Sequence, residues 1–250
     1  MKIFLTISLT LVLALSLAAP AARAGIDPYE LLKTSDQARG NRDGISWTVT
    51  ITATERGKTN LRQLKVRSRG FDAVAETLKP ARRRGQLLIM LKGNMWFYQP
   101  GLSKPVPISK RQKLLGLATN GDIASTNYAE NYEILNSNRA LTDNEECIVF
   151  DLKAKVTNAA YRRVKYWVSL HRQVGIKTEF YSTNGKKLLK SATMEYDNKI
   201  TDKAAGQHLF ISRIAIKDEL MSKGKTVMEF SPPDLQPYSP DLFNINLLGK

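Results

Sequence analysis

The sequence predicts a single domain built mainly from antiparallel β-strands, with only a few short helices. About a dozen segments alternate apolar and polar residues with the period of a half-buried strand. Turn signals such as Asn184-Gly185 separate them at hairpin spacing, and no strand–helix–strand rhythm is present. The chain of 250 residues is long enough for one domain with a sizeable core.

The first 24 residues have the pattern of a secretory signal peptide. Lys2 precedes an apolar run over residues 3–19, and Ala22-Arg23-Ala24 forms an A-x-A cleavage motif. A membrane anchor is the alternative, but the run is short for a span and ends at Pro20. We therefore expect a cleaved signal peptide (1–24) and a soluble, exported domain (25–250).

Net charge and cysteine content narrow the range of partners. The formal charge is +15, and it becomes +13 once Lys2 and Arg23 are removed. Export argues against nucleic acid, so anionic lipid head groups, an acidic partner surface or an acidic ligand are expected. The single cysteine, Cys147, allows no internal disulfide and is expected to be a buried structural thiol.

The N-terminal elements follow directly from local patterns. Residues 27–38 predict a helix, with Asp27 as N-cap and Pro28 in the first turn. Residues 46–54 are the clearest strand, because Trp47, Val49, Ile51 and Ala53 alternate with threonines. Strands are also predicted over 61–69 and 73–78.

A basic loop and an apolar hairpin come next. Arg82, Arg83 and Arg84 precede residues 85–108, where Gly93-Asn94 predicts a two-residue turn that pairs Lys92 with Met95. Alternation divides the hairpin into two apolar faces, so we expect both faces to be covered. One face has Ile89, Leu91, Trp96 and Tyr98, which the predicted turn pairs as Leu91 with Trp96 and Ile89 with Tyr98, and the other has Leu88, Met90 and Phe97.

The rest of the chain is predicted to be mostly strands. Residues 109–118 predict a helix, and the turn 120–122 is expected to cap a short helix that reaches Ala124. The proline-rich tail, 232–250, should pack back onto the body. The predicted strands are 132–136, 147–155, 162–170, 175–182, 187–196, 207–216 and 226–231.

No catalytic or metal-binding pattern stands out in the sequence. His171 and His208 are the only histidines, and neither has cysteines or carboxylates at ligand spacing. Phosphate-binding loops, nucleophile elbows and dinucleotide fingerprints are missing from the sequence. We therefore expect no cofactor, no metal and no enzymatic activity.

One long motif resembles a known family, the outer-membrane lipoprotein-sorting, or LolA-like, proteins. The motif comprises Met95–Pro100, Leu115-Gly116 and Gly121-Asp122, and the strong similarity covers residues 69–128. The layout of elements agrees over nearly the whole chain.

The resemblance implies an incomplete, strongly curved antiparallel barrel, or half-barrel, whose open side is covered by a helical lid. Acyl chains are expected to occupy an apolar cavity between sheet and helices. It implies a monomeric periplasmic carrier that moves lipoproteins or lipids toward the outer membrane. The expected cavity wall is Trp47, Val49, Ile51, Ile89, Leu91, Trp96 and Tyr98, with Phe150, Tyr166, Val168, Phe180 and Phe210 added on period alone.

Two other functions stay open at this level. A periplasmic sensor, or an adaptor for an inner-membrane export protein, would use the basic loop Arg82, Arg83 and Arg84 to contact an acidic partner or, transiently, a membrane surface. An enzyme on the same fold is the third possibility, because fold alone does not fix function.

Overall fold

The structure is a computed structural model that describes residues 26–123, 127–202, 206–220 and 224–247. The predicted signal peptide and Ala124 lie outside these ranges. The described α-helices are α1 Pro28–Gln37 and α2 Tyr128–Asn131, and short 3-10 helices span Ala81–Arg83, Asn120–Asp122 and Pro240–Phe243. The described strands are β1 Asp43–Glu55, β2 Lys58–Arg69, β3 Asp72–Lys79, β4 Leu87–Leu91, β5 Asn94–Tyr98, β6 Val106–Pro107, β7 Lys113–Leu115, β8 Ala118–Thr119, β9 Tyr132–Thr142, β10 Glu145–Ala154, β11 Arg163–Ser169, β12 Gly175–Tyr181, β13 Leu188–Glu195, β14 Asn198–Asp202, β15 Gly206–Phe210, β16 Arg213–Asp218, β17 Gly224–Phe230 and β18 Asp234–Leu235.

Most strands belong to one large antiparallel sheet. Its order is β6-β5-β4-β3-β2-β1-β17-β16-β13-β12-β11-β10-β9, and β18 pairs with β1 beside this path. Because β6 and β9 end the sheet without pairing to each other, the curved sheet stays open. The predicted incomplete antiparallel barrel is therefore confirmed.

Helix α1 forms as its sequence predicts. Asp27 caps the helix by accepting a hydrogen bond from the Tyr29 backbone N–H, and Pro28 occupies the first turn. Leu31 and Leu32 are fully buried against the sheet. Helix α1 and the short α2 contact each other, and the Tyr29 hydroxyl donates a hydrogen bond to Glu130. Together they cover one face of the sheet, which we call the inner face.

Strand β1 contributes the centre of the inner face. Trp47, Val49, Ile51 and Ala53 are all buried, as alternation predicts. The Trp47 ring packs edge-on against Phe210, with ring centroids 5.4 Å apart. The main core therefore lies between the inner face and the two helices.

The hairpin β4–β5 is covered on both sides, as its two apolar faces predict. Leu88, Met90 and Met95 belong to the main core on the inner face. On the opposite, outer face, Ile89 packs in a second cluster with Phe243 of the C-terminal tail. The prediction that the tail packs back onto the body is thus confirmed for its described part.

The predicted register of this hairpin was wrong, because the turn lies one residue earlier in the chain than predicted. The loop residues are Lys92 and Gly93, with φ of +49° and +75°, and Asn94 already belongs to β5. Ile89 therefore pairs with Trp96, and Met90 pairs with Met95. Both loop residues occupy the left-handed region that a primed turn needs, and Lys92 tolerates it here. The face assignment survives because moving the turn by one residue shifts the pairing by two.

The helix predicted over 109–118 was also wrong. This stretch contains the small hairpin β7–β8, turned by Gly116 with φ of +56°. A Cβ at Gly116 would collide with Ala53 and Thr226, so the backbone lies directly on the sheet. Contact with the sheet overrides the local helical pattern. The strand predicted over 207–216 is likewise two strands, β15 and β16, separated by 211–212.

Candidate functional site

A cleft of about 640 Å³ opens on the inner face beside the hairpin β4–β5. Its walls come from β2, from the loop before β4, from β4–β5 and from the segment 108–120. We call it the basic cleft. Its lining residues are Arg62, Arg82, Arg83, Gln86, Leu88, Phe97, Gln99, Ile108, Gln112, Lys113, Leu114 and Asn120.

One wall of the basic cleft is apolar and continuous with the main core. Leu88 and Phe97 face it from the hairpin, while Ile108 and Leu114 face it from the opposite side. Leu88 and Leu114 are themselves core residues, and Phe97 and Ile108 pack against that core. An apolar ligand bound here would therefore extend the core rather than rest on an exposed surface.

The other wall is strongly basic. Arg82 and Arg83 are exposed, whereas Arg62 is only 8% exposed. Burial, together with the neighbouring Arg83, lowers the pKa of Arg62 to about 10. Lys113 is the cation with a local partner, since its Nζ lies 2.9 Å from Glu55 Oε1.

A polar network fixes the segment that faces the hairpin across the cleft. The Leu117 backbone N–H donates to Thr226 Oγ1 at 2.9 Å, which ties the segment to β17. Lys190 donates to the Leu117 carbonyl at 2.8 Å and forms an ion pair with Asp122 at 3.4 Å. Asp122 also accepts a hydrogen bond from the Tyr161 hydroxyl at 3.0 Å. These bonds hold the far wall of the cleft in place.

The residues predicted as one cavity wall lie on two faces of the sheet. Trp47, Val49 and Ile51 belong to the main core of the inner face. The outer-face cluster, with the C-terminal tail, contains the four predicted hairpin residues Ile89, Leu91, Trp96 and Tyr98. The two groups line opposite faces, because cross-strand pairing runs from Trp47 through β2 and β3 to Leu88, and Ile89, the next residue of β4, points the other way. The single wall predicted from sequence is corrected on this point.

Of the remaining predicted residues, two line the basic cleft and the others do not. Arg82 and Arg83 line the basic cleft, while Arg84 is exposed and lies outside its lining. Five residues predicted on period alone are buried in the main core, at 6% exposure or less, and do not line the cleft; they are Phe150, Tyr166, Val168, Phe180 and Phe210.

Comparisons with known proteins agree with this architecture. A family model described as an uncharacterized protein matches residues 71–250. A LolA superfamily protein from Nitrosomonas europaea is 28% identical with a TM-score of 0.74, over 86% of this chain and 96% of that one. The chain belongs to the family that this model describes, and its fold is LolA-like.

Two further solved structures share the fold of this LolA-like chain. An outer-membrane lipoprotein-sorting protein domain from Vibrio parahaemolyticus is 17% identical, with a TM-score of 0.73 over 89% of this chain and 98% of that one. A DUF1329 family protein from Desulfovibrio piger is 19% identical, with a TM-score of 0.71 over 88% and 97%. No curated protein matches the sequence.

The LolA-like core contains a second polar feature, beneath the helices. Asp36 of α1 is 2% exposed and accepts a hydrogen bond from the Ala129 backbone N–H at 2.9 Å. Burial raises the pKa of Asp36 to about 7, because desolvation outweighs the attraction of the nearby Arg39. Arg39 lies over the Tyr128 ring, 5.4 Å from its centroid. This buried carboxyl links α1 to the start of α2.

Sequence reasoning missed most of the cleft. Leu88 and Phe97 were assigned correctly to one face of the hairpin, but the cavity was predicted on the opposite face. Arg62 is in phase with Leu64 and Val66 on the apolar face of β2, and an arginine in an apolar row was the available signal. Leu114 was assigned to a helix over 109–118 and Ile108 to the end of the hairpin stretch 85–108, so neither was placed at a cleft.

Three negative observations apply to the part of the chain that the structure describes. No group of three or more histidine, cysteine, aspartate or glutamate residues there is arranged to hold a metal ion. None of the helices described is long and apolar enough to cross a membrane. The described lining of the basic cleft likewise contains no aspartate or glutamate.

Proposed function

We propose that this protein is a periplasmic carrier that binds the acyl chain of a lipid or lipoprotein in the basic cleft and moves it toward the outer membrane. The observation that carries the proposal is the apolar wall formed by Leu88, Phe97, Ile108 and Leu114, which continues into the main core. The LolA-like fold, and the similarity to a LolA superfamily protein, support the same interpretation.

The size of the cleft suits such a ligand, and its four apolar residues form one wall of a lining that is otherwise polar and basic. Small-molecule sites usually measure ~300–1,000 Å³ and are lined by apolar side chains with a few polar groups, and about 640 Å³ lies within that range. Each methylene group transferred from water to an apolar wall contributes roughly 0.8 kcal/mol. Several methylene groups held against Phe97 and Leu88 therefore stabilise a soluble complex enough for carriage between membranes.

Adjacent residues on opposite faces of β5 give a sharp test. Phe97 lines the cleft, whereas Trp96 packs in the outer cluster with the C-terminal tail. We expect Phe97→Asn to weaken lipid binding roughly tenfold or more, from the apolar contact that one phenyl ring loses. Trp96→Asn should loosen the tail and lower the melting temperature while binding changes less than about twofold.

The measurement uses the mature chain purified without detergent. Native mass spectrometry and lipid extraction identify any bound lipid, and displacement of a neutral apolar fluorophore gives affinities for both variants. Circular dichroism confirms that each variant is folded. Equal losses of binding in the two folded variants, or a loss in Trp96→Asn alone, would remove the basic cleft from the proposal.

A further inference from the structure

Arg62 is a largely buried cation that has no counter-ion among the residues described by the structure. It is the fifth residue of β2 and pairs across the sheet with Ile51, so its side chain starts from the apolar inner face. Across the ranges that the structure describes, no carboxylate or hydrogen-bond acceptor lies within bonding distance of its guanidinium. The guanidinium is not among the fully buried polar atoms and faces the cleft, where partial desolvation of an unpaired charge is unfavourable unless a ligand compensates for it.

Other cations of the same sheet show the contrasting arrangement. Arg163 pairs with Asp151 at 3.1 Å, and Arg172 pairs with Glu145 at 2.6 Å. Lys190, at 8% exposure, combines a carbonyl and a carboxylate. Arg62 is as buried as Lys190, yet the neighbouring charge that acts on it is another cation, Arg83. Among the described residues that line this end of the cleft, Arg62, Arg82 and Arg83 thus lie together without an aspartate or glutamate.

We propose that Arg62, Arg82 and Arg83 bind the anionic head group of an amphiphile whose acyl chain lies along Phe97 and Leu88. This deepens the proposed function and rests on it. The ligand class is a lipid whose head group presents a phosphate or carboxylate. Arginine suits this role because its planar guanidinium donates two parallel hydrogen bonds to such a group. Arg62 is the buried anchor, and the exposed Arg82 and Arg83 form the rim.

The test compares ligands that share one acyl chain and differ in the head group. Lysophosphatidylglycerol is anionic, lysophosphatidylcholine is zwitterionic and monoacylglycerol is neutral. Each displaces a neutral apolar fluorophore from the mature chain below its critical micelle concentration, and inorganic phosphate is titrated alone. We expect the anionic lipid to bind about tenfold or more tighter than the neutral one, the range of a charge-assisted hydrogen bond.

Arg62→Gln should abolish this preference and leave the affinity for monoacylglycerol within about twofold. The matched control is Arg67→Gln on the same strand, because Arg67 pairs with Glu76 on the opposite face and should keep the preference. Arg62→Gln should also raise the melting temperature of the ligand-free protein, since it removes an unpaired buried charge. A purely structural arginine would give a lower melting temperature.

Each outcome decides something. Equal affinities for anionic and neutral lipids in the wild type overturn the head-group site while the carrier function stands. Failure of every lipid to displace the fluorophore overturns the carrier function itself. Tight binding of inorganic phosphate without displacement assigns the arginines to a free anion and overturns the amphiphile. If Arg62→Gln does not fold, the double variant Arg82→Gln/Arg83→Gln on the exposed loop must reduce the anionic preference, and an unchanged preference overturns the proposal.

Discussion

Tyr166 fills the space beside Gly175 so closely that Gly175→Ala should be strongly destabilising. A Cβ at Gly175 would lie 1.8 Å from the Tyr166 hydroxyl oxygen and 2.1 Å from its Cζ. The hydroxyl would have to retreat by about 1.6 Å to reach an ordinary 3.4 Å contact. Tyr166 is fully buried, and its ring centroid lies 4.6 Å from that of Tyr128, so close packing blocks the retreat.

The expected magnitude follows from this packing. Overpacking a dense core typically costs about 1–3 kcal/mol. Because close packing prevents the Tyr166 ring from moving away, we expect a loss of stability at the upper end of this range, about 3 kcal/mol. For a chain of this length that corresponds to a melting temperature lower by roughly 6–12 °C. Gly224→Ala is the matched control, because Gly224 also begins a strand and its nearest neighbour would lie 3.6 Å away. We expect it to change stability by less than about 0.5 kcal/mol.

Thermal and urea unfolding of both variants, followed by circular dichroism, measures the difference. If Gly175→Ala is as stable as Gly224→Ala, the Tyr166 ring has room to move. That result would refute the dense core described for this region, and it would support Tyr166 as part of a cavity wall, as the sequence predicts.

Two further predictions concern Asp36 and Arg84. Because the folded carboxyl of Asp36 has a pKa of about 7 and its ordinary value is 3.8, the free energy of unfolding should fall by roughly 4 kcal/mol as pH rises between those values and then level off. Asp36→Asn should remove this slope in urea unfolding at a series of pH values, and a variant that keeps the slope contradicts the assignment. If the exposed Arg84 docks an acidic partner, Arg84→Glu should lower recovery of that partner in a pulldown and leave lipid displacement unchanged; undiminished recovery counts against docking.

Side-chain alternation predicted the hairpin better than its turn did. The face of each residue in β4 and β5 depends only on parity, and a turn moved by one residue preserves parity. The turn itself depends on which residues accept a positive φ, and Gly93-Asn94 was a stronger local signal than Lys92-Gly93. The two faces were therefore predictable, whereas the pairing partners were not.

In the segment 109–118, tertiary contacts override the local sequence pattern. Its leucines at 114, 115 and 117 suit a helix, but Gly116 lies against Ala53 and Thr226 of distant strands. Gly116 permits that approach because it lacks a Cβ, but the sequence around it does not show which distant strands it meets. The far wall of the basic cleft could thus be found only from the fold, and with it the position of Ile108 and Leu114.

The C-terminal tail decides which face of the hairpin is available to a ligand. Phe243 packs on Val74, Ile89 and Leu91, so the outer face is already covered by the protein's own chain. The inner face near Phe97 is covered only in part, and it meets the unpaired charge of Arg62 at the same cleft. Apolar alternation made both faces equal candidates in the sequence, and the distinction comes from an arginine in phase with an apolar row. An unpaired buried charge beside an open apolar wall destabilises the ligand-free protein. The head group of an anionic amphiphile would pair with that charge, and its acyl chain would cover the wall.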